Sequence, residues 1–141
     1  EFFAWGAQSW VCAGSNFLPK EHIALYKACV VENDFRKGRR IMSAMMPLMR
    51  VLEQGGKFIQ SVKYGVTLDG RFSGEVRKPL RGLNKDEKRA MAQVVKTLKT
   101  TIAGIEAEAN GEAPSQFIES IKASISETEA LAQQSNQEAG E

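Results

Sequence analysis

The sequence holds few residues of the kinds that bind metals or cross membranes. It has two cysteines and one histidine, too few for the usual four-ligand zinc site, so we predict no metal. No apolar run is long enough to cross a bilayer, which excludes a membrane-spanning helix and argues against a membrane partner. Cys12 and Cys29 lie in apolar surroundings. We therefore predict free, buried thiols in a cytoplasmic protein.

The sequence also lacks an initiator methionine and a signal peptide, and it opens on "EFFAW". A mature protein rarely begins on such an amphipathic segment, so we expect this start to be a cut in a longer chain. The 141 residues, 43% of them hydrophobic, suffice for one ordinary domain with a buried core.

Charge is unevenly distributed along the chain. Residues 106–141 contain eight acidic residues and one basic residue, whereas the rest contains 18 basic and nine acidic residues. The basic residues are scattered among Met, Val and Leu without stacking aromatics, which argues against a nucleic-acid partner. We interpret the acidic end as a solvated segment beside a basic domain.

Hydrophobic periodicity predicts one strand followed by helices. The apolar run in residues 8–13, which includes Trp10 and Val11, is too short for a stable helix, so a strand is predicted over 8–13. Pro19 suits the first turn of a helix that runs to about residue 32. The predicted apolar face of this helix comprises Ile23, Tyr26, Cys29 and Val30.

Three further helices are predicted before residue 110. The first is capped by Asn33 or Asp34, kinked at Pro47 and ended by Gly55 and Gly56. The second covers about 57–68, with Phe58, Ile59, Val62 and Val66 facing inward. After a loop over 69–82, Asn84 and Glu87 form a predicted capping box. The helix behind it carries an apolar stripe of Met91, Val94, Val95, Leu98, Ile102 and Ile105.

A last helix is predicted over about 115–132, followed by a disordered end. Its apolar positions are Phe117, Ile118, Ile121, Ile125 and Leu131. We expect it to dock on the 84–105 helix or on a second copy and to serve assembly rather than catalysis.

Three stretches together carry a family resemblance: "GAQSWVCAGSNFLPKE", "ALYKACVVENDFRKGRRIMSAMMPLM" and "KFIQSVKYGVTLDGRFSGEVRKPLRGL". Their order and spacing over about residues 1–100 resemble the carboxyl-terminal part of the dihydrodipicolinate synthase / N-acetylneuraminate lyase family. The matching details are the Gly-Ala before the predicted strand, the Asn16-x-x-Pro19 step, Pro47-Leu48, Val62-Lys63 and Arg77-x-Pro79-Leu80.

The resemblance implies an α/β fold, a (β/α)8 TIM barrel followed by a helical carboxyl-terminal domain. This chain would be a C-terminal fragment of that fold and mostly α in the residues present. Residues 1–32 would end the barrel with its last strand and following helix, and 33–110 would form the helical domain. Residues 111–141 would be an acidic amphipathic helix and a disordered tail.

The resemblance also implies an activity. Such family members are pyruvate-type aldolases, lyases or dehydratases that hold a 2-keto acid as an imine on a lysine, without a cofactor. That lysine and a proton-shuttling tyrosine precede the region present here, so no catalytic residue is expected in this chain. The main-chain carbonyl of Val11 would face the imine site, with Cys12 and Ala13 lining the same wall. The implied partners are pyruvate or a related 2-keto acid and further copies in a dimer or tetramer.

Other reactive side chains have simpler interpretations. Lys63 matches a family lysine that does not form the imine, and Cys12 is expected to be inert packing. His22 is predicted on the exposed side of its helix. Ser15 is expected to satisfy loop backbone groups rather than bind substrate, and Arg77 to hold its loop to the helical domain.

Two departures and two alternatives remain open. Ser9 stands where many relatives have Gly, and Trp10 is bulkier than the usual Val or Ala, which fits a subfamily with another substrate preference. One alternative is that the full-length protein is an N-acetylneuraminate lyase, a keto-sugar-acid dehydratase or a hydratase-aldolase of the same family. The other alternative is a non-catalytic helical interaction module whose acidic 106–141 segment binds a basic partner.

Overall fold

The computed structural model describes residues 2–111. Two short 3-10 turns, Phe2–Trp5 and Ala13–Asn16, precede the helices. The helices are α1 (Pro19–Tyr26), which continues as a π-helical turn (Lys27–Val31), α2 (Phe35–Gln54), α3 (Phe58–Leu68) and α4 (Lys85–Ala109). The predicted 115–132 helix and its docking lie outside the described residues.

The predicted strand over residues 8–13 is wrong. Residues 7–12 are irregular, Ala13 already begins a 3-10 turn, and no β-strand occurs anywhere in 2–111. Cys12 does have extended dihedrals, with φ −141° and ψ 124°. An extended segment becomes a strand only when a neighbour pairs with its N–H and C=O groups, and residues 2–111 supply no such neighbour.

The helix after Pro19 forms as predicted at its start but buries a different face. Pro19 occupies the first turn, where its missing N–H costs nothing. The buried residues are His22, Ala24, Leu25, Ala28 and Cys29, whereas Ile23 is half exposed. Cys29 is buried as predicted and Val30 is partly buried, whereas His22 and Leu25 are buried one position before the predicted Ile23 and Tyr26.

Helix α2 carries the predicted amphipathic pattern. Asp34 is its cap, because the carboxylate accepts a hydrogen bond of 2.9 Å from the Lys37 N–H. Asn33 before it has a positive φ of 53°, which Asn tolerates better than most residues. The helix continues through Pro47 as one element and buries Gly38, Ile41, Met45, Leu48 and Leu52. Each large apolar side chain buried in this way contributes about 1.5–3 kcal/mol.

Helix α3 matches its predicted bounds, but its first turn faces outward. Phe58 and Ile59 are 40% and 52% exposed, so their predicted inward orientation is wrong, while Val62 and Val66 are partly buried. The buried positions are Gln60, Ser61 and Gly65. The Gln60 side-chain amide donates to the Arg81 carbonyl, which ties the 69–82 loop to the helix and explains a buried polar residue.

The capping box before α4 is confirmed. Glu87 N–H donates to the Asn84 side-chain oxygen over 2.9 Å, and Asn84 N–H donates to the Glu87 carboxylate over 2.8 Å. The stripe behind it is buried at Met91, Val95, Leu98, Ile102 and Ile105. These residues join the core formed by Phe17, Leu18 and the buried faces of α1 and α2.

Contacts divide the chain into two compact units. The first ends at Ile105 and contains the core, and the second begins at Glu106. Only residues 106–111 of the second unit are described. Within the described residues, none of the helices is long and apolar enough to cross a membrane.

Candidate functional site

The polar residues of the Ala13–Asn16 turn satisfy the turn itself. The Ser15 hydroxyl donates to the Cys12 carbonyl over 2.6 Å, and the Asn16 side-chain amide donates to the Ala13 carbonyl over 3.0 Å. The Gly14 carbonyl accepts from the N–H groups of Phe17 and Leu18. Ser15 therefore has the structural role that its sequence context predicts.

Two of the three predicted substrate-lining residues, Val11 and Cys12, lead into this turn, and the third, Ala13, begins it. The side chain of Val11 is fully exposed, and Cys12 and Ala13 are half buried. Trp10 instead packs back on α1, with its ring stacked 6.3 Å from both the His22 and the Tyr26 ring. Side chains of an extended segment alternate, so Trp10 anchors one side while Val11 projects from the other.

Trp10 belongs to an aromatic cluster that fixes the start of the chain. The ring of Phe3 meets Trp10 edge to face at 5.0 Å and Tyr26 at 6.2 Å. Such offset and edge-to-face pairs are the favoured aromatic arrangements. The bulk of Trp10 is therefore accommodated on the α1 side.

His22 is buried, which corrects its predicted exposure. The side chain is 4% exposed, and Nδ1 lies 2.7 Å from the Leu18 carbonyl oxygen. A carbonyl only accepts, so Nδ1 is the donor in this contact. Nε2 is buried without a hydrogen-bond partner among the described residues. The spacing of His22, Leu25 and Cys29 was the sequence signal for this buried face.

Gly14 is required by the closeness of that imidazole. A Cβ at Gly14 would lie 2.9 Å from His22 Nε2 and Cε1 and 3.6 Å from Cys12 Sγ. No real Cβ contact is as short as the first of these, so a larger residue would displace the turn or the ring. The glycine that ends the apolar run therefore serves close packing between the turn and α1.

A second close contact seats the turn on α3. A Cβ at Gly65 would lie 2.7 Å from the ring of Phe17, and Phe17 is 1% exposed. On the polar side, Arg71 Nη2 donates to the main-chain carbonyl of Asn16. Sequence reasoning missed Arg71, since 55 residues separate it from Asn16 and no local pattern links the two.

Lys63 and Arg77, two further basic residues that the sequence analysis considered, lie away from the Ala13–Asn16 turn in sequence and have no catalytic contact among the described residues. Lys63 Nζ donates to the main-chain carbonyl of Ser73, and the Thr67 and Ser73 hydroxyls lie 3.2 Å apart. These contacts tie the loop after α3 back onto that helix. The Arg77 side chain is exposed. Among the described residues, it is the Arg71 guanidinium of this loop that donates to a carbonyl of another element, that of Asn16.

Among residues 2–111, Cys29 and Glu87 have shifted pKa values. Burial raises the pKa of the Cys29 thiol above its ordinary 9.0, and the Asp34 carboxylate acts in the same direction. The hydrogen bond from Lys57 Nζ, 2.6 Å away, lowers the pKa of Glu87, and the Asn84 N–H lowers it further. Both pKa shifts are explained by contacts that stabilise the fold and lie outside the Ala13–Asn16 turn.

The donor set of the described part of the chain does not form a metal centre. No group of three or more His, Cys, Asp or Glu side chains among residues 2–111 is arranged to hold a metal ion. Cys12 and Cys29 are both free there, the first half buried and the second buried.

Comparisons with known proteins converge on one family. The sequence profile of the Dihydrodipicolinate synthetase family matches residues 1–98. The chain is 31% identical over 96 residues to the probable 5-dehydro-4-deoxyglucarate dehydratase of Azotobacter vinelandii, covering 67% of this chain and 32% of that protein. It is 30% identical over 99 residues to the 4-hydroxy-tetrahydrodipicolinate synthase of Methanocaldococcus jannaschii, with the same two coverages of 67% and 32%.

The length covered is as informative as the identity. The chain spans about a third of these relatives, 32% of each. Another 4-hydroxy-tetrahydrodipicolinate synthase, from Thermosipho melanesiensis, is 26% identical over 103 residues and is covered to 34%. No solved structure matches the chain significantly.

Proposed function

The chain belongs to the dihydrodipicolinate synthetase family, and from that premise we propose that it is the carboxyl-terminal part of a Schiff-base-forming 2-keto-acid lyase or synthase. The full-length protein would be a (β/α)8 barrel with a helical carboxyl-terminal domain. The family match over residues 1–98, together with coverage of only a third of the relatives, is the observation that carries this proposal.

The proposed chemistry uses a lysine that lies upstream of Glu1. Its amine adds to the carbonyl of a pyruvate-type substrate and water leaves, which gives an imine. The protonated imine nitrogen accepts the electron pair when the adjacent carbon loses a proton or when a carbon–carbon bond to it breaks. No metal or organic cofactor is needed for these steps.

The described residues contribute one wall of the site in this proposal. The main-chain carbonyl of Val11 faces the imine, and Cys12 and Ala13 lie beside it. This placement is supported by the hydrogen bonds of the Ala13–Asn16 turn, in which the Ser15 and Asn16 side chains donate to the main-chain carbonyls of Cys12 and Ala13. Because these hydrogen bonds lie within the protein, they hold the main chain at a defined position without needing a contact from the substrate.

Trapping with pyruvate and borohydride tests the proposal. We expect the full-length gene product to gain a reduced pyruvyl adduct on a lysine outside this chain, located by mass spectrometry. The 141-residue chain alone serves as the matched control and should gain none. An adduct on Lys63, or on another lysine of this chain, would contradict the assignment, and an untrapped full-length protein would favour the non-catalytic interaction module.

Two reactions within the family remain candidates because the relatives differ in their names. One relative is a probable dehydratase and another a synthase. The dehydratase releases water from a keto-sugar acid, whereas the synthase condenses pyruvate with a second carbonyl compound. Turnover by the full-length protein, assayed with a hexarate-derived keto acid and with pyruvate plus an aldehyde acceptor, separates the two.

We further propose a cytoplasmic homo-oligomer, a dimer or a tetramer. Its support in this chain is the methionine face of α2, where Met42 and Met46 are about two fifths exposed beside the buried Met45. Methionine adapts readily to irregular contacts, so such a face suits a subunit interface. Light scattering of the full-length protein gives its solution mass, and a monomer would contradict this part of the proposal.

A further inference from the structure

A line of polar contacts connects α4 to the Ala13–Asn16 turn. Lys99 Nζ on α4 lies 3.5 Å from one oxygen of the Asp69 carboxylate. The other oxygen accepts from Arg71 Nε at 3.2 Å and from Nη2 at 3.0 Å. Arg71 Nη2 also donates to the main-chain carbonyl of Asn16. The guanidinium is thus held by one carboxylate while it holds one carbonyl.

Arg71 donates to a carbonyl of the turn that the side chains of the turn itself do not reach. The donors of Ser15 and Asn16 are directed to the Cys12 and Ala13 carbonyls inside the turn. The ring of Phe17 anchors the far end of the turn against Gly65 on α3. Arg71 supplies the polar contact to the Asn16 carbonyl from outside the turn.

We propose that Arg71 is a positioning residue for the 2-keto acid. By fixing the Asn16 carbonyl, it fixes the turn and therefore the main chain of Val11–Ala13 against which the substrate lies. This inference rests on the proposed function. An arginine suits the task because its planar fork contacts a carboxylate and a carbonyl together, which a lysine ammonium does with less geometric control.

The first measurement is the pyruvate dependence of borohydride trapping in the full-length protein. In R71M the pyruvate concentration for half-maximal trapping should rise about threefold to tenfold, the range expected when one partly exposed charge-assisted hydrogen bond is lost. The maximal trapping rate should change less, because the imine-forming lysine is untouched. R71K should recover part of the loss, and R77M, at another exposed arginine of the same loop, should behave as wild type.

The second measurement reports the turn without using activity. Cys12 lies next to the turn and is half buried, so its alkylation by iodoacetamide, followed by mass spectrometry, reports how firmly the turn is held. R71M should speed alkylation of Cys12 relative to that of buried Cys29, which serves as the internal reference. D69N, which weakens the grip on the guanidinium while leaving Arg71 in place, should give a smaller change in the same direction.

The two measurements separate this inference from the proposed function. Faster alkylation of Cys12 in R71M, together with a higher pyruvate concentration for half-maximal trapping, supports the positioning role. Faster alkylation with an unchanged half-maximal concentration overturns the positioning role but leaves the proposed function standing. No change in either measurement overturns the contact itself. A wild-type protein that pyruvate cannot trap overturns the proposed function, and the positioning role with it.

Discussion

Gly38 of α2 packs closely against Cys29 of the π-helical turn. A Cβ at Gly38 would lie 2.3 Å from Cys29 Sγ, and Cys29 is 7% exposed. Glycine inside a helix usually costs about 0.5–1 kcal/mol relative to alanine. It is retained here because the sulfur occupies the space that a methyl group would need.

Replacing Gly38 by alanine should therefore destabilise the protein, although helix propensity alone favours the change. We expect G38A to lower the free energy of unfolding by about 1 kcal/mol or more, since overpacking costs about 1–3 kcal/mol. Urea denaturation measures the difference.

The double variant C29A/G38A is the control for this prediction. Without the sulfur, the new methyl group has room, so the double variant should be more stable than C29A carrying the native glycine. Equal effects of the alanine in both backgrounds would show that the sulfur does not limit this contact.

Individual residues also mark how far local sequence reasoning extends into the candidate site. The role of Ser15 was predictable because its partner, the Cys12 carbonyl, lies three residues away. The contact between Arg71 and Asn16 was not, because it depends on how α3 folds back against the turn. The exposure of His22 was predicted wrongly for a related reason: its burial depends on Trp10 and Gly14, which the fold brings against α1.

At the scale of elements, helices with caps and long apolar stripes were predictable from sequence. The conformation of the remaining segments depends on which other parts of the protein pack or pair with them. Helices α2 and α4 satisfy their own backbone groups, so their periodicity and caps locate them from sequence. The 8–13 segment lacks a pairing neighbour within the described residues and therefore stays irregular. The face of α1 was predicted one position out, and the turn that continues it is π-helical rather than α-helical, so its residues depart from the α-helical period.

The capping box offers a direct test of what begins α4. N84A removes the side-chain oxygen that accepts from the Glu87 N–H, and we expect a loss of about 1 kcal/mol in the free energy of unfolding. N84D keeps an acceptor at the same position and should retain most of the stability. If both variants unfold at the same denaturant concentration as wild type, the cap does not stabilise this helix start.

Glu87 gives α4 a predictable dependence on pH. The hydrogen bond from Lys57 lowers the pKa of the Glu87 carboxyl in the folded state, so the folded protein binds fewer protons than the unfolded chain. The resulting stabilisation is fully present above the ordinary carboxyl pKa and is lost as pH falls through the lowered one. E87Q keeps a side-chain acceptor for the Asn84 N–H but cannot ionise.

Denaturation midpoints of wild type and E87Q across the acidic range check this dependence. The difference between them should be largest near neutral pH and shrink as the medium becomes more acidic. K57M is the matched control, because it removes the same attraction from the other side and should reproduce the pattern. A difference that stays constant with pH would contradict the assignment of the shift to Lys57.

At the scale of the whole molecule, apolar surface and chain length support the same proposal. Large hydrophobic side chains are mostly or fully exposed at Phe2, Trp5, Val11 and Phe72, and apolar surface of this kind commonly marks contact with other protein. Three of these residues lie in the first eleven positions, and the match covers only about a third of the length of the relatives. In the proposed full-length barrel, upstream strands and helices would cover that surface.

The acidic end carries the last prediction, which concerns assembly. Phe117, Ile118, Ile121 and Ile125 recur every three to four residues, a spacing that gives a helix one apolar face. Burying four such side chains is worth on the order of 6–12 kcal/mol before ordering entropy is subtracted. Ordering costs of about 1–2 kcal/mol per residue would exceed this gain for an isolated helix, so we expect the segment to dock on the 84–105 helix or on a second copy of the chain.

Deleting residues 112–141 from the full-length protein should therefore lower its solution mass by dissociating subunits while turnover per active site is largely kept. Deleting only 133–141 removes acidic residues but none of the four apolar positions, so this shorter deletion should leave the assembly intact. Light scattering and steady-state assays on both variants measure the two effects separately. A large loss of turnover with an unchanged oligomeric state would show instead that the segment acts at the active site, because an element needed only for assembly cannot slow the reaction in an assembly that is still complete.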